Sequence, residues 1–126
     1  MSKPAVISII DDDLMVREST ADLINSLGYQ ALTFASGEQF LASGYLKDTA
    51  CIITDLQMPG TTGLDLQSRL HADGHRTPII FITAYPKDAT RSRALNAGAV
   101  AFLSKPFEES ALISSLETAL ERWKKL

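Results

Sequence analysis

The sequence has little of what many secreted, zinc-binding or membrane proteins depend on. It contains one cysteine, Cys51, and two histidines, which excludes an internal disulfide and a zinc site built on a cysteine–histidine cluster. Its apolar runs stay well short of the roughly 18 residues that a membrane-spanning helix needs. Residues 1–5 lack the long apolar core of a secretory signal. These absences favour a cytoplasmic protein without a membrane segment.

The chain also lacks an excess of basic charge. The formal net charge is −3, which argues against a nucleic-acid surface within this sequence. The 126 residues contain 45% hydrophobic and 21% charged residues, which is ordinary for a globular protein. We find no repeat and no low-complexity segment. Length and composition therefore predict one domain over residues 1–126.

Apolar stretches rich in β-branched residues alternate with helical patterns along the whole chain. Five alternations predict an α/β fold: a parallel sheet with right-handed crossovers and five helices on both faces. The pattern alone does not give the order of the strands. We predict strands at 5–10, 30–34, 50–55, 78–83 and 100–104, and helices at 16–27, 37–41, 63–70, 88–96 and 112–123. The second helix has the pattern of a capping box from Ser36 to Gln39.

Polar and charged residues follow the apolar strands at the points where the strands end. Asp55 closes the third strand and is followed by a Met-Pro-Gly turn. Because functional groups collect outside the carboxyl ends of parallel strands, we expect Asp55 to be an exposed acid on a rigid support. Similar groups follow three other strands, and we expect them to share one crevice: Asp11, Asp12 and Asp13 after the first, Thr83 at the end of the fourth and Lys105 after the fifth.

A crevice with several carboxylates would be unstable without a compensating cation. At an effective dielectric of about 20, each close pair of carboxylates costs a few kcal/mol. Ligand sets made only of oxygen atoms suit Mg²⁺ best. Lys105 would pair with Asp55 and then with phosphoryl oxygens placed on it. The residues therefore predict a magnesium site beside a lysine.

The same residues carry a family resemblance. The chain resembles the receiver domain of bacterial response regulators from about residue 5 to residue 123, above all receivers of the FixJ type. The resemblance implies the flavodoxin-like, CheY-like strand order 2-1-3-4-5. The motifs that carry it are Ile10-Asp11-Asp12-Asp13, Asp55-Leu56-Gln57-Met58-Pro59, Gly63, Ile82-Thr83-Ala84, Ala97-Gly98-Ala99 and Lys105-Pro106-Phe107.

The resemblance also implies a role for each matching position. Asp55 would be the phosphoacceptor, with Thr83 and Lys105 holding the phosphoryl oxygens. Phe102 stands at the aromatic switch position of the family and would turn inward when Thr83 moves toward the phosphoryl group. Asp13 is expected to cap the first helix and support the site.

The implied ligands of Mg²⁺ come from the two acidic strand ends. Asp12 would bind the ion directly, Asp11 more through water, and Asp55 through its carboxylate. Gln57 would contribute its backbone carbonyl, so its side chain is free to vary.

The resemblance implies a phosphorylation-activated signalling switch and no separate substrate turnover. The implied partners are a sensor histidine kinase and a second copy of the chain after phosphorylation. Transcription would be controlled through a DNA-binding output domain that this sequence does not contain. A free-standing receiver acting by protein contact or phosphorelay stays open as an alternative.

Two other functions are disfavoured by particular residues. A Mg²⁺-dependent phosphatase with an aspartyl-phosphate intermediate usually has a second acid two residues after the nucleophile, where this chain has Gln57. A flavin or dinucleotide carrier would need a glycine-rich first loop, where this chain has three acids.

Overall fold

A five-stranded parallel sheet forms the centre of the protein in a computed structural model that describes residues 4–126. Residues 1–3, which belong to the start interpreted as lacking a secretory signal, lie outside the described residues. The strands are β1 (Val6–Ile10), β2 (Gln30–Phe34), β3 (Thr49–Asp55), β4 (Ile79–Thr83) and β5 (Ala101–Ser104). The helices are α1 (Leu14–Ser26), α2 (Gly37–Ala42), α3 (Gly63–Ala72), α4 (Asp88–Asn96) and α5 (Glu109–Lys124).

The strand order is β2-β1-β3-β4-β5, and every pairing is parallel. The predicted α/β class and the order implied by the resemblance are therefore confirmed. The chain moves outward from β1 to β2 and then crosses back to β3 on the other side of β1. In open α/β sheets, this reversal creates a crevice at the carboxyl ends of the two diverging strands. Here those strands are β1 and β3.

Side chains of the strands alternate between two apolar layers. On one face, Ile52 and Phe81 pack against α2, α3 and α4. On the other face, Ile53 and Ile82 pack against α1 and α5. Cys51 is fully buried in the second layer, and burial raises the pKa of its thiol, so it is a core residue as expected. The main helix residues buried against the sheet are Ile24, Phe40, Leu66, Leu70, Ala94, Leu112 and Leu116.

Two polar interactions at strand starts explain small errors in the predicted bounds. β3 begins at Thr49, one residue earlier than predicted, because the buried Thr49 Oγ1 lies 2.7 Å from Ser8 Oγ and 2.8 Å from the Tyr45 carbonyl. β4 begins after Pro78, which accepts a hydrogen bond from the Ile52 N–H at 2.9 Å but has no N–H to donate.

The predicted capping interactions are correct at α1 and only half correct at α2. Asp13 caps α1, accepting hydrogen bonds from the N–H groups of Met15 at 2.9 Å and Val16 at 3.3 Å. Ser36 caps α2 by accepting from Gln39 N–H at 3.1 Å. The reciprocal bond of a capping box is missing, because Gln39 Oε1 accepts from the N–H of Ala35.

α4 is weakly attached to the rest of the fold. Its bounds were predicted correctly, but Ala94 is its one buried residue and its first turn has no side-chain cap. The buried Gln67 of α3 donates a hydrogen bond from Nε2 to the carbonyl of Ala94 at 3.1 Å. The C-terminal end of α4 is therefore tied to α3, while its N-terminal end has fewer restraints.

Within residues 4–126, no helix combines the length and the apolar character needed to cross a membrane.

Gly63 is the residue where adding one methyl group should destabilise the fold most directly. A Cβ atom there would lie 2.6 Å from the carbonyl oxygen of Asp55 and 2.9 Å from the Phe81 ring. Backbone atoms of a central strand cannot move away easily, so we expect Gly63→Ala to lower the free energy of unfolding by about 2–3 kcal/mol. Urea denaturation measures this difference.

Gly37→Ala is the matched control for this substitution. Its Cβ would meet the side chain of Thr61 at 3.3 Å and the carbonyl oxygen of Thr61 only at 3.8 Å, so we expect a change below about 1 kcal/mol. Equal effects of the two substitutions would show that the contact with Asp55 is not the cause.

Candidate functional site

Asp55 lies at the carboxyl end of the central strand β3. Its Oδ1 accepts a hydrogen bond from the N–H of Gln57 at 3.2 Å. Its Oδ2 lies 3.1 Å from Lys105 Nζ. The expectation of an exposed acid is wrong, because Asp55 is only 7% exposed. β1 and β4 flank the strand, and the groups that follow neighbouring strands cover most of the carboxylate.

Lys105 joins the ends of three strands through a bridged ion pair. Its ammonium lies 3.0 Å from Asp11 Oδ2 as well as 3.1 Å from Asp55 Oδ2. Asp11 follows β1 directly and is fully buried, and its Oδ1 accepts a hydrogen bond from Asp13 N–H at 2.9 Å. The predicted pairing of Lys105 with Asp55 is confirmed, and Asp11 is a second partner that was not predicted.

Burial and pairing act in opposite directions on the charges of this cluster. Burial raises the pKa of the Asp11 carboxyl above its ordinary value, although the Asp13 N–H and Lys105 oppose the change. Burial alone would lower the pKa of Lys105, but its hydrogen bonds to Asp11 and Asp55 raise it overall. Lys105 is therefore firmly protonated at neutral pH.

Asp12 completes an acidic cluster at the mouth of the crevice. Carboxylate oxygens of Asp11, Asp12 and Asp55 all lie within 4.8 Å of one another. Asp12 is exposed, whereas the other two acids are buried, so the cluster opens to solvent on one side. Arg17 of α1 supports this rim by donating from Nη1 to the carbonyl of Asp11 at 2.7 Å. No feature of the sequence pattern pointed to Arg17.

The donor set of this cluster fits a hard divalent cation. Three carboxylates face one ammonium, which leaves excess negative charge in a small space. All the candidate ligand atoms are oxygens, which suits Mg²⁺.

Thr83 lies at the same edge of the sheet but is not bonded to the acidic cluster. It is fully buried at the end of β4, and its Oγ1 accepts a hydrogen bond from Tyr85 N–H at 3.2 Å. Its carbonyl accepts from the N–H of Lys105 at 2.7 Å, which ties β4 to the segment that carries the lysine. Within residues 4–126 the Thr83 hydroxyl only accepts a hydrogen bond, so its hydrogen can be donated to a new acceptor.

Phe102 lies on β5 beside the apolar layer that contains Phe81. The two rings are 6.5 Å apart between centroids and are tilted by 52°. Phe102 is half-buried, whereas Phe81 is fully buried. The position leaves Phe102 close to both β4 and the weakly attached α4.

Gln57 projects an exposed side chain from the connection that follows β3, and its N–H contacts Asp55 as described above. The same connection contacts Glu38 of α2, because Thr61 N–H donates to Glu38 Oε1 at 3.1 Å. Glu38 could not be predicted from the sequence, since a contact between two residues 23 positions apart has no local pattern.

Comparisons with known proteins agree with this arrangement. Residues 7–117 match the family described as response regulator receiver domain. Among curated relatives, nodulation protein W of Bradyrhizobium diazoefficiens is 36% identical over 124 residues, which cover 98% of this chain and 55% of that protein. Transcriptional regulatory protein FixJ of Azorhizobium caulinodans is 37% identical over 122 residues, which cover 97% and 58%. The chain thus spans little more than half the length of these relatives.

Solved structures give the same result. Response regulator StyR superposes with a TM-score of 0.90 at 38% identity, covering 98% of this chain and 62% of that one. FixJ-N superposes with a TM-score of 0.83 at 33% identity, covering 96% of each chain. The fold, the acidic cluster and the sequence similarity all indicate the same family. This chain belongs to the response regulator receiver domain family.

Proposed function

We propose that this receiver domain accepts a phosphoryl group on Asp55 from a sensor histidine kinase and uses it to change the surface formed by α4 and β5. The observation that carries the proposal is the bridged ion pair of Lys105 with Asp11 and Asp55, beside the carboxylate of Asp12. It brings a nucleophile, a fixed positive charge and metal-binding oxygens into one crevice. The domain would span residues 1–126.

The transfer itself needs placement more than special reactivity. A carboxylate oxygen of Asp55 attacks the phosphorus of a phosphohistidine, forming a P–O bond as the P–N bond breaks. The imidazole leaves with the bonding electron pair and takes up a proton. Lys105 is already within 3.1 Å of Asp55 and is the group that would neutralise the phosphoryl oxygens.

The residues around Asp55 also fit a bound Mg²⁺. Asp12 and Asp55 would bind the ion directly, Asp11 more through water, and Gln57 through its main-chain carbonyl. A bound Mg²⁺ supplies additional charge neutralisation for the phosphoryl oxygens. The excess negative charge of the crevice favours its binding.

Thr83 would respond to the new negative charge on Asp55. A phosphoryl group adds dianionic charge and three acceptor oxygens beside a hydroxyl whose hydrogen is free. Thr83 would move toward it, and Phe102 would turn into the space behind. Because the N-terminal half of α4 is weakly held, this local change can shift the α4–β5 surface.

The output of the switch is a further part of the proposal. The curated relatives are longer than this chain, and three are named transcriptional regulatory proteins. We therefore propose a cytoplasmic signalling switch without separate enzymatic turnover that controls transcription. It would dimerise after phosphorylation and contact DNA only through an output domain outside this sequence.

Phosphorylation by acetyl phosphate tests the proposal directly. We expect the protein to gain one phosphoryl group per chain in the presence of Mg²⁺, seen by intact mass spectrometry, and to gain little with EDTA. Steady hydrolysis of phosphate esters would instead support an aspartyl-phosphate phosphatase. The phosphoacceptor role would be overturned if the protein gained no mass with acetyl phosphate and none with phosphorylated histidine kinases.

A further inference from the structure

The first turn of α2 lies against the connection between β3 and α3, residues 56–62. Glu38 Oε1 accepts the hydrogen bond from Thr61 N–H at 3.1 Å. The other carboxylate oxygen lies over Gly60, where a Cβ atom would be only 2.7 Å from Glu38 Oε2. One carboxylate therefore contacts two successive residues of the connection.

The contact is supported by packing and charge. A Cβ atom on Gly37, which is buried, would lie 3.3 Å from Thr61 Cγ2, so the neighbouring residue of α2 also packs on the connection. Gly60 has a φ angle of +76°, a conformation that suits glycine and allows the close approach of Glu38. Hydrogen bonding from Thr61 lowers the pKa of the Glu38 carboxyl, because the ionised carboxylate is the better acceptor.

The same connection carries part of the candidate metal site. It begins directly after Asp55, and its second residue is Gln57, whose N–H donates to Asp55 Oδ1. Its ends are fixed by the Gly63 N–H, which donates to the Leu56 carbonyl at 3.0 Å, and by the Thr62 cap of α3. Met58 is buried in the core, so Glu38 adds a polar tie on the exposed side.

We propose that Glu38 is a positioning residue for the metal site. Its hydrogen bond with Thr61 holds the connection so that the carbonyl of Gln57 stays where Mg²⁺ would be bound beside Asp12 and Asp55. Glu38 itself is not one of the three clustered acids and acts through the chain. This inference rests on the proposed function, and it assigns to α2 a part in metal affinity.

Two substitutions at Glu38 distinguish the effect of its hydrogen bond on Mg²⁺ affinity from the effect of its charge. Glu38→Ala removes the acceptor, and we expect it to weaken Mg²⁺ binding by about three- to tenfold, as the loss of one hydrogen bond would. Glu38→Gln keeps an acceptor oxygen without the charge, and we expect binding within about twofold of the original protein. Amide shifts in ¹H–¹⁵N spectra during a Mg²⁺ titration give the dissociation constants.

A measurement on the metal-free protein tests the contact independently. Hydrogen exchange at the Thr61 amide should be faster in Glu38→Ala and nearly unchanged in Glu38→Gln. Amides in the centre of β3 should exchange equally in all variants, which shows that the fold is intact.

Glu117→Ala is the control for net charge, because Glu117 is an exposed glutamate on α5. The inference is overturned if Glu38→Ala binds Mg²⁺ as tightly as Glu117→Ala, or if Glu38→Gln loses as much affinity as Glu38→Ala. In the first case the hydrogen bond has no effect on the site, and in the second the charge alone acts. If the unsubstituted protein binds no Mg²⁺, the proposed metal site fails together with this inference.

Discussion

Asp55→Asn is expected to reduce phosphoryl uptake from acetyl phosphate to background. The amide has nearly the same shape, and its oxygen can still accept the hydrogen bond from the Gln57 N–H. It lacks the anionic oxygen that forms the new P–O bond and that lies 3.1 Å from Lys105 Nζ, so uptake should be lost even when the protein is folded. Intact mass spectrometry after incubation with Mg²⁺ gives the extent of uptake.

Asp22→Asn serves as the control for this change. Asp22 is an exposed residue of α1, and its substitution alters net charge by the same amount. We expect uptake equal to that of the original protein. If Asp55→Asn still gained one phosphoryl group at a comparable rate, another carboxylate would be the acceptor.

Lys105→Met should give the second largest loss. Methionine preserves much of the side-chain volume but removes the ammonium that lies 3.0 Å from Asp11 and 3.1 Å from Asp55. Loss of one preorganised donor at a site of charge development lowers rates by about 10²- to 10³-fold. We expect the initial rate of phosphorylation to fall by about a hundredfold at saturating Mg²⁺.

The same substitution should also destabilise the metal-free protein. Asp11 is fully buried and would lose its charged partner, which leaves two carboxylates facing each other. Removing one partner of a buried ion pair costs about 3–5 kcal/mol, and the partial exposure of Lys105 should reduce this to about 1–3 kcal/mol. Urea denaturation without Mg²⁺ measures the difference in the free energy of unfolding.

Lys47→Met is the matched control, because Lys47 is an exposed residue that precedes β3. Neither the phosphorylation rate nor stability should change appreciably. A Lys105→Met protein that phosphorylates as fast as Lys47→Met would contradict the role assigned to the ammonium.

Much of the fold could be predicted from the sequence because each element has a strong local pattern. The buried strands are apolar almost throughout, and Asp13 and Ser36 mark the helix starts that the structure confirms. The strand order could not be predicted from these patterns, since it depends on which strands pair across the chain. It came from the family resemblance and was confirmed.

The convergence of the site residues could also be predicted, because parallel strands place their carboxyl ends at one edge. Asp11, Asp55 and Lys105 are in contact as this reasoning requires. The burial of Asp55 was wrongly predicted, since it depends on how neighbouring connections cover the edge. Glu38 was missed for a related reason: its contact with Thr61 depends on how α2 is oriented, which no local motif records.

The most direct test of the account is to locate the phosphoryl group after phosphorylation with Mg²⁺. Borohydride reduces an aspartyl phosphate to homoserine, and tryptic peptides then separate position 55 from the acids at 11–13. We expect homoserine at position 55 in the phosphorylated, unsubstituted protein and none in Asp55→Asn. Homoserine at position 11, 12 or 13 with unmodified Asp55 would contradict it.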